Sequence, residues 1–117
     1  MKEVLRMGTR KAAGGYDPVR IYNSTPFNAY GAVEYASIFC SNDQYSVQRE
    51  ETWQASGRGV CLVTRITATV RTPSGNIAAE PYTSSGTSYS QFAIIQVGPN
   101  QFRVTRVVSS ARRRRKC

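Results

Sequence analysis

The stretch from Val60 to Arg71, VCLVTRITATVR, closed by Thr72-Pro73-Ser74-Gly75-Asn76, constrains the fold more than any other. Its even positions carry Val60, Leu62, Thr64, Ile66, Ala68 and Val70; its odd positions carry Cys61, Val63, Arg65, Thr67, Thr69 and Arg71. Alternation of this kind, rich in β-branched residues, suits a strand with one buried and one wet face. Arg65, Thr67, Thr69 and Arg71 then form a solvated polar row.

The rest of the body is written in the same way. Val19 to Asn23, Ala29 to Cys40, the Tyr45/Val47 and Trp53/Ala55 segments, Ile77 to Glu80, Gln91 to Val97 and Phe102 to Val107 all read as strands. Gly31 marks a bulge within the second of them. Turn residues recur about every 8–12 positions, and no convincing helix interrupts them. Connections this short call for antiparallel pairing, because a parallel crossover needs a dozen or more residues. The expected fold is therefore all-β: an antiparallel β-sandwich of about seven or eight short strands, with a small β-barrel as second choice. Residues 1–15 read as a flexible basic leader, 16–108 as the sandwich domain and 109–117 as a disordered Arg-rich tail.

The net charge of +9 belongs to the two ends. Lys2, Arg6, Arg10 and Lys11 against Glu3 contribute +3, and Arg112, Arg113, Arg114, Arg115 and Lys116 contribute +5. The body between them is left with +1. Any electrostatic partner is thus expected at the termini. The N-terminal residues lack the apolar run of a secretory signal, and no stretch is apolar enough for a membrane helix. Cytoplasmic or nuclear residence is the default expectation.

Chemistry is sparse. The chain has no histidine, which removes the commonest general base and a common zinc ligand. No serine sits in a nucleophile elbow, and no glycine-rich loop opens a helix. Glu50 and Glu51 are neighbours at a bend and make a poor carboxylate pair. The reading is of a protein that is not an enzyme and carries no metal or cofactor. Cys40 and Cys61 read as two buried thiols, or as a disulfide where the compartment oxidises. The acceptor pattern Asn23-Ser24-Thr25 precedes a proline and reads as a turn. Trp53 reads as a core anchor.

Two segments offer binding chemistry. Residues 82–90, YTSSGTSYS, hold eight hydroxyl-bearing side chains and one glycine. As a loop, Tyr82, Thr83, Ser85, Thr87, Ser88 and Tyr89 would suit a carbohydrate or a lipid head group, with flat aromatic faces beside hydroxyls. Arg112 to Lys116 would neutralise nucleic-acid phosphates or an anionic surface. No aromatic residue interleaves them, and Cys117 does not complete a prenylation box.

Three features resemble the aegerolysins and actinoporins, small lipid-binding β-sandwiches. They are the V-x-I-x-N start (Val19, Ile21, Asn23), the T-W-x-A-S-G-R segment (Thr52 to Arg58) and the late Tyr/Ser run. The Trp-rich and Cys-Pro-Trp features of those families are missing, and no functional residue carries over. The resemblance implies a surface-binding module. The expected function is a non-enzymatic, lectin- or cytolysin-like module for a carbohydrate or lipid head group. The alternative is a coat-like structural or nucleic-acid-associated protein acting through its Arg-rich ends.

Overall fold

The structure, a computed structural model, describes residues 15–108. The expected leader and Arg-rich tail, apart from Gly15, lie outside these residues. Ten strand segments follow one another: β1 (Arg20–Asn23), β2 (Ala29–Tyr35), β3 (Asp43–Val47), β4 (Thr52–Gln54), β5 (Val63–Ile66), β6 (Thr69–Thr72), β7 (Gly75–Ala78), β8 (Tyr82–Thr87), β9 (Gln91–Gly98) and β10 (Gln101–Arg106). One sheet runs β10-β9-β1-β4; the other runs β7-β6-β2-β5-β8, with β3 on the free side of β2. The two pack face to face as a β-sandwich around Val19, Ile21, Val33, Val63, Ile66, Val70, Phe92 and Ile94.

Among the described strands every pair but one is antiparallel, and an isolated parallel bridge also joins Glu80 to Arg103. β1 lies parallel to β9, Ile21 opposite Phe92. The short-connection argument governs strands that follow one another in sequence, and it does not reach a pair so far apart in the chain.

The stretch from Val60 to Arg71 is not one strand. β5 begins only at Val63, and a break at Thr67–Ala68 separates it from β6. Both halves run along the same edge of β2, Ile66 opposite Val33 and Val70 opposite Ala29. Between them the Thr67 N–H donates to the Ala32 carbonyl at 3.0 Å, and the Thr67 hydroxyl accepts from the Ala32 N–H at 3.1 Å. Thr67 is therefore anchored to β2 rather than free in a solvated row, while Arg65 and Arg71 are exposed. Register slips beside Val63 turn that side chain into the core, against the simple alternation.

Gly31 is not a bulge, for its pairing with Tyr45 is regular. Its bare Cα instead admits the Thr67 carbonyl and the Tyr45 hydroxyl, which donates to that carbonyl at 2.6 Å.

Opposite the break, the partner strand leaves its own sheet. Glu80 donates its N–H to the Phe102 carbonyl and accepts from the Val104 N–H, both at 2.9 Å. Arg103 and Glu80 add an exposed ion pair at 3.2 Å. One edge of the sandwich is stitched shut in this way, part of the way towards the barrel that was the second expectation.

Asn23 is fully buried. Its amide nitrogen donates to the Phe27 carbonyl at 2.7 Å, and its oxygen accepts from the Thr25 N–H and hydroxyl at 3.0 and 2.8 Å. The acceptor motif is thus a hydrogen-bonded turn that supplies the polar lining of the core.

Candidate functional site

The strand ladders collect one set of loops at one end of the sandwich. β2 ends beside the start of β5, and β5 starts beside the end of β8. β1 and β9 begin together, and Arg106 at the close of β10 lies opposite Phe92. Residues 15–19, 36–42, 55–62, 88–90 and 107–108 therefore share this end.

Arg58 ties it together. Its side chain is buried, and its donors reach five main-chain carbonyls. Nε donates to Asp17 at 2.8 Å; Nη1 donates to Cys61 at 3.1 Å and, more weakly, to Thr87 at 3.5 Å. Nη2 donates to Ser88 at 2.7 Å and Tyr89 at 2.9 Å. Among the described residues no carboxylate forms an ion pair with it. The planar fork with five donors is what lets one residue span three segments. Burial pushes the guanidinium below its ordinary pKa, and the nearby Tyr35 and Asp17 act against that shift. Tyr16 adds an N–H donated to the Gly59 carbonyl at 2.8 Å, and its ring lies 5.5 Å from the guanidinium carbon.

Cys40 and Cys61 are joined as a disulfide, which corrects the reading of two buried thiols. Neither lies on a strand, and both are half-buried. The bond ties the 36–42 loop to the segment ahead of β5. Beside it opens a cavity of about 260 Å³, lined among others by Tyr35, Asp43, Ser56 and Arg58. There the Tyr35 hydroxyl donates to Asp43 Oδ2 at 2.6 Å. Burial first, and the Asp43 carboxylate second, push the Tyr35 phenol well above its usual range.

The loop that the disulfide holds was expected to be the end of the second strand. That strand instead stops at Tyr35, and Ser37, in the left-handed region at φ 83°, turns the chain outward. Ile38 and Phe39 are left 92% and 90% exposed, with Val60, on the neighbouring segment, at 72%. Of nine exposed large hydrophobic residues among the described ones, only Tyr22 and Val97 lie away from this end. The other seven include Tyr16 and Tyr89. The ring of Tyr89 carries the Arg106 guanidinium, whose central carbon sits 3.3 Å from the ring centroid.

The hydroxyl-rich run is dispersed rather than gathered. Residues 82–87 form edge strand β8 instead of a loop. Tyr82 turns inward onto Phe92, with ring centroids 4.8 Å apart, while Thr83 and Ser85 face solvent. Ser84 donates to the Val63 carbonyl at 2.7 Å, and the Thr87 hydroxyl accepts from the Tyr89 N–H. Of the six residues expected to bind, only Ser88 and Tyr89 lie in the end loops, beside a shallow depression shared with Arg106. Trp53 is partly buried against the core and tilts onto Tyr45 at 5.2 Å. Arg112 to Lys116 lie outside the described residues.

Sequence reasoning missed Arg58, Ile38, Phe39 and Val60. The available signal was an apolar pair set between Ser37 and Ser41-Asn42, one residue from a cysteine whose mate follows Val60. Among the described residues no cluster of His, Cys, Asp and Glu could hold a metal, and no helix is long and apolar enough to cross a membrane. No family model, no curated protein and no solved structure matches the chain.

Proposed function

We propose that this chain is a non-enzymatic binding module that docks its braced loop end onto a surface of anionic lipid head groups. The observation that carries the reading is the concentration, among the described residues, of seven of nine exposed large hydrophobic side chains at one end of the sandwich. Isolated exposed apolar residues are ordinary, whereas a cluster of them marks an interaction site. Charge supports the same end. The described chain enters it at Gly15 and leaves it at Val108, so the flanking segments, carrying +3 and +5, are joined to the chain at this end. Arg112 stands four residues after Val108, within about 14 Å along an extended chain. Apolar insertion and attraction to anionic lipid reinforce each other, each nearby cation adding about 1 kcal/mol.

A glycan site through Tyr82 to Tyr89 has less support, since those hydroxyls diverge. A coat-like, nucleic-acid-binding role would use the basic segments and leave Ile38 and Phe39 without purpose. Co-sedimentation with vesicles containing phosphatidylserine separates these readings. The double variant Ile38→Ser/Phe39→Ser should weaken binding at least about thirty-fold, from the loss of roughly 2 kcal/mol of apolar burial. Added salt should weaken it further. Wild-type binding by the double variant, or equal binding to phosphatidylcholine alone, would overturn the proposal.

A further inference from the structure

We infer that the Cys40–Cys61 disulfide is a redox latch on the apolar tip, a regulatory role that rests on the docking reading above. The bond sits where the sheet no longer needs it. Tyr35 already pairs with Val63, and the Ala36 N–H already donates to the Leu62 carbonyl at 2.8 Å. These contacts clasp the two segments at their base. Beyond them, the hydrogen bonds of residues 37–41 among the described residues stay within the loop: Cys40 N–H to the Ser37 carbonyl at 3.2 Å, and Phe39 N–H to Ser37 Oγ at 3.1 Å. Ile38 and Phe39 themselves project into solvent. The covalent bond is therefore what holds these two side chains in fixed relation to Val60.

The same bond is open to a reagent. Both cysteines border the 260 Å³ cavity and are half-buried, so an attacking thiolate can approach from solvent. The reductant is a dithiol. Its thiolate attacks one sulfur, the S–S bond breaks, and the other cysteine leaves as a thiolate. The second thiol of the reductant then resolves the mixed disulfide. The cysteine pair gains two electrons and two protons, and the dithiol becomes a disulfide. Once released, residues 37–41 must be ordered again at each encounter, which weakens docking without touching the core.

The test uses the full chain carrying Cys117→Ser, so that only this pair exchanges, with dithiothreitol as the dithiol. Amide hydrogen exchange and co-sedimentation with phosphatidylserine vesicles are read on oxidised and reduced protein. Reduction is expected to strip protection from 37–41 alone, to let iodoacetamide add twice, and to weaken vesicle binding at least about ten-fold. A Cys40→Ser/Cys61→Ser variant should bind like the reduced protein and ignore dithiothreitol. Loss of protection across the strands would make the bond a staple of the whole fold and overturn the latch, as would unchanged vesicle affinity on reduction. If the oxidised protein does not bind vesicles, the docking reading falls, and the exchange pattern alone decides the latch.

Discussion

At the scale of single residues the molecule depends on two buried polar side chains answered almost entirely by main chain. Asn23 closes a turn inside the core, and Arg58 holds three segments by their carbonyls. Removing a buried charge's partners, or the charge itself, costs far more than an exposed pair is worth. Arg58→Met should lower unfolding free energy by about 3–5 kcal/mol in a denaturant titration. Arg58→Lys should recover little of it, because one ammonium cannot span carbonyls that a planar fork was needed to reach. Alkali offers a second check. Tyr35 and Tyr45 both hold their protons more tightly when folded than the ordinary tyrosine value of 10.0, for both chiefly because of burial. A group whose folded pKa is raised contributes stability that is intact below the unfolded value and is lost above it. The melting temperature should thus decline as pH rises past about 10, and Tyr45→Phe should flatten the decline.

Among the elements, the junction of β2 with the broken β5/β6 strand is the least forgiving point. A Cβ at Gly31 would strike the Thr67 carbonyl and come within 2.9 Å of the Tyr45 hydroxyl. Backbone on one side and a buried, hydrogen-bonded phenol on the other leave nothing free to give way. Gly31→Ala should therefore cost about 2–3 kcal/mol in the same titration, more than the ordinary preference of a strand for alanine over glycine could return. The sandwich itself was legible because period-two patterning is a local property and the apolar residues of β3 and β10 obey it, while β9 shows instead the continuous apolar run of a buried strand. The break at Thr67–Ala68 was not, since a side-chain hydroxyl that replaces a ladder partner leaves the alternation of letters intact. Residues 82–87 looked like a loop for the opposite reason. Their small hydroxyl side chains belong to an edge strand, where Ser84 bonds the neighbouring backbone and needs no apolar bulk. The outward turn at Ser37 was equally hidden, because Ile38 and Phe39 are what a buried strand would also contain.

Over the whole molecule, charge and stability are divided. The described body holds +1, and the segments on either side hold the remainder. Exposed charges add little to folding at physiological salt. Deleting residues 109–117 should shift a thermal melt in 0.15 M salt by less than about 2 °C, while removing most of the salt-dependent part of vesicle binding. Distribution of charge was readable from sequence; that both charged segments join the apolar-tipped end was not, because it follows from β1 and β9 starting side by side. That parallel pair also bears on how the chain is made. Ile21 meets Phe92, a residue synthesised 71 positions later. At roughly 5–20 residues per second, a ribosome leaves β1 without that neighbour for several seconds. The first of the described strands is thus enclosed late, and an Ile21 awaiting its partner is a point where a nascent chain of this protein is exposed to capture by a chaperone or by another nascent chain.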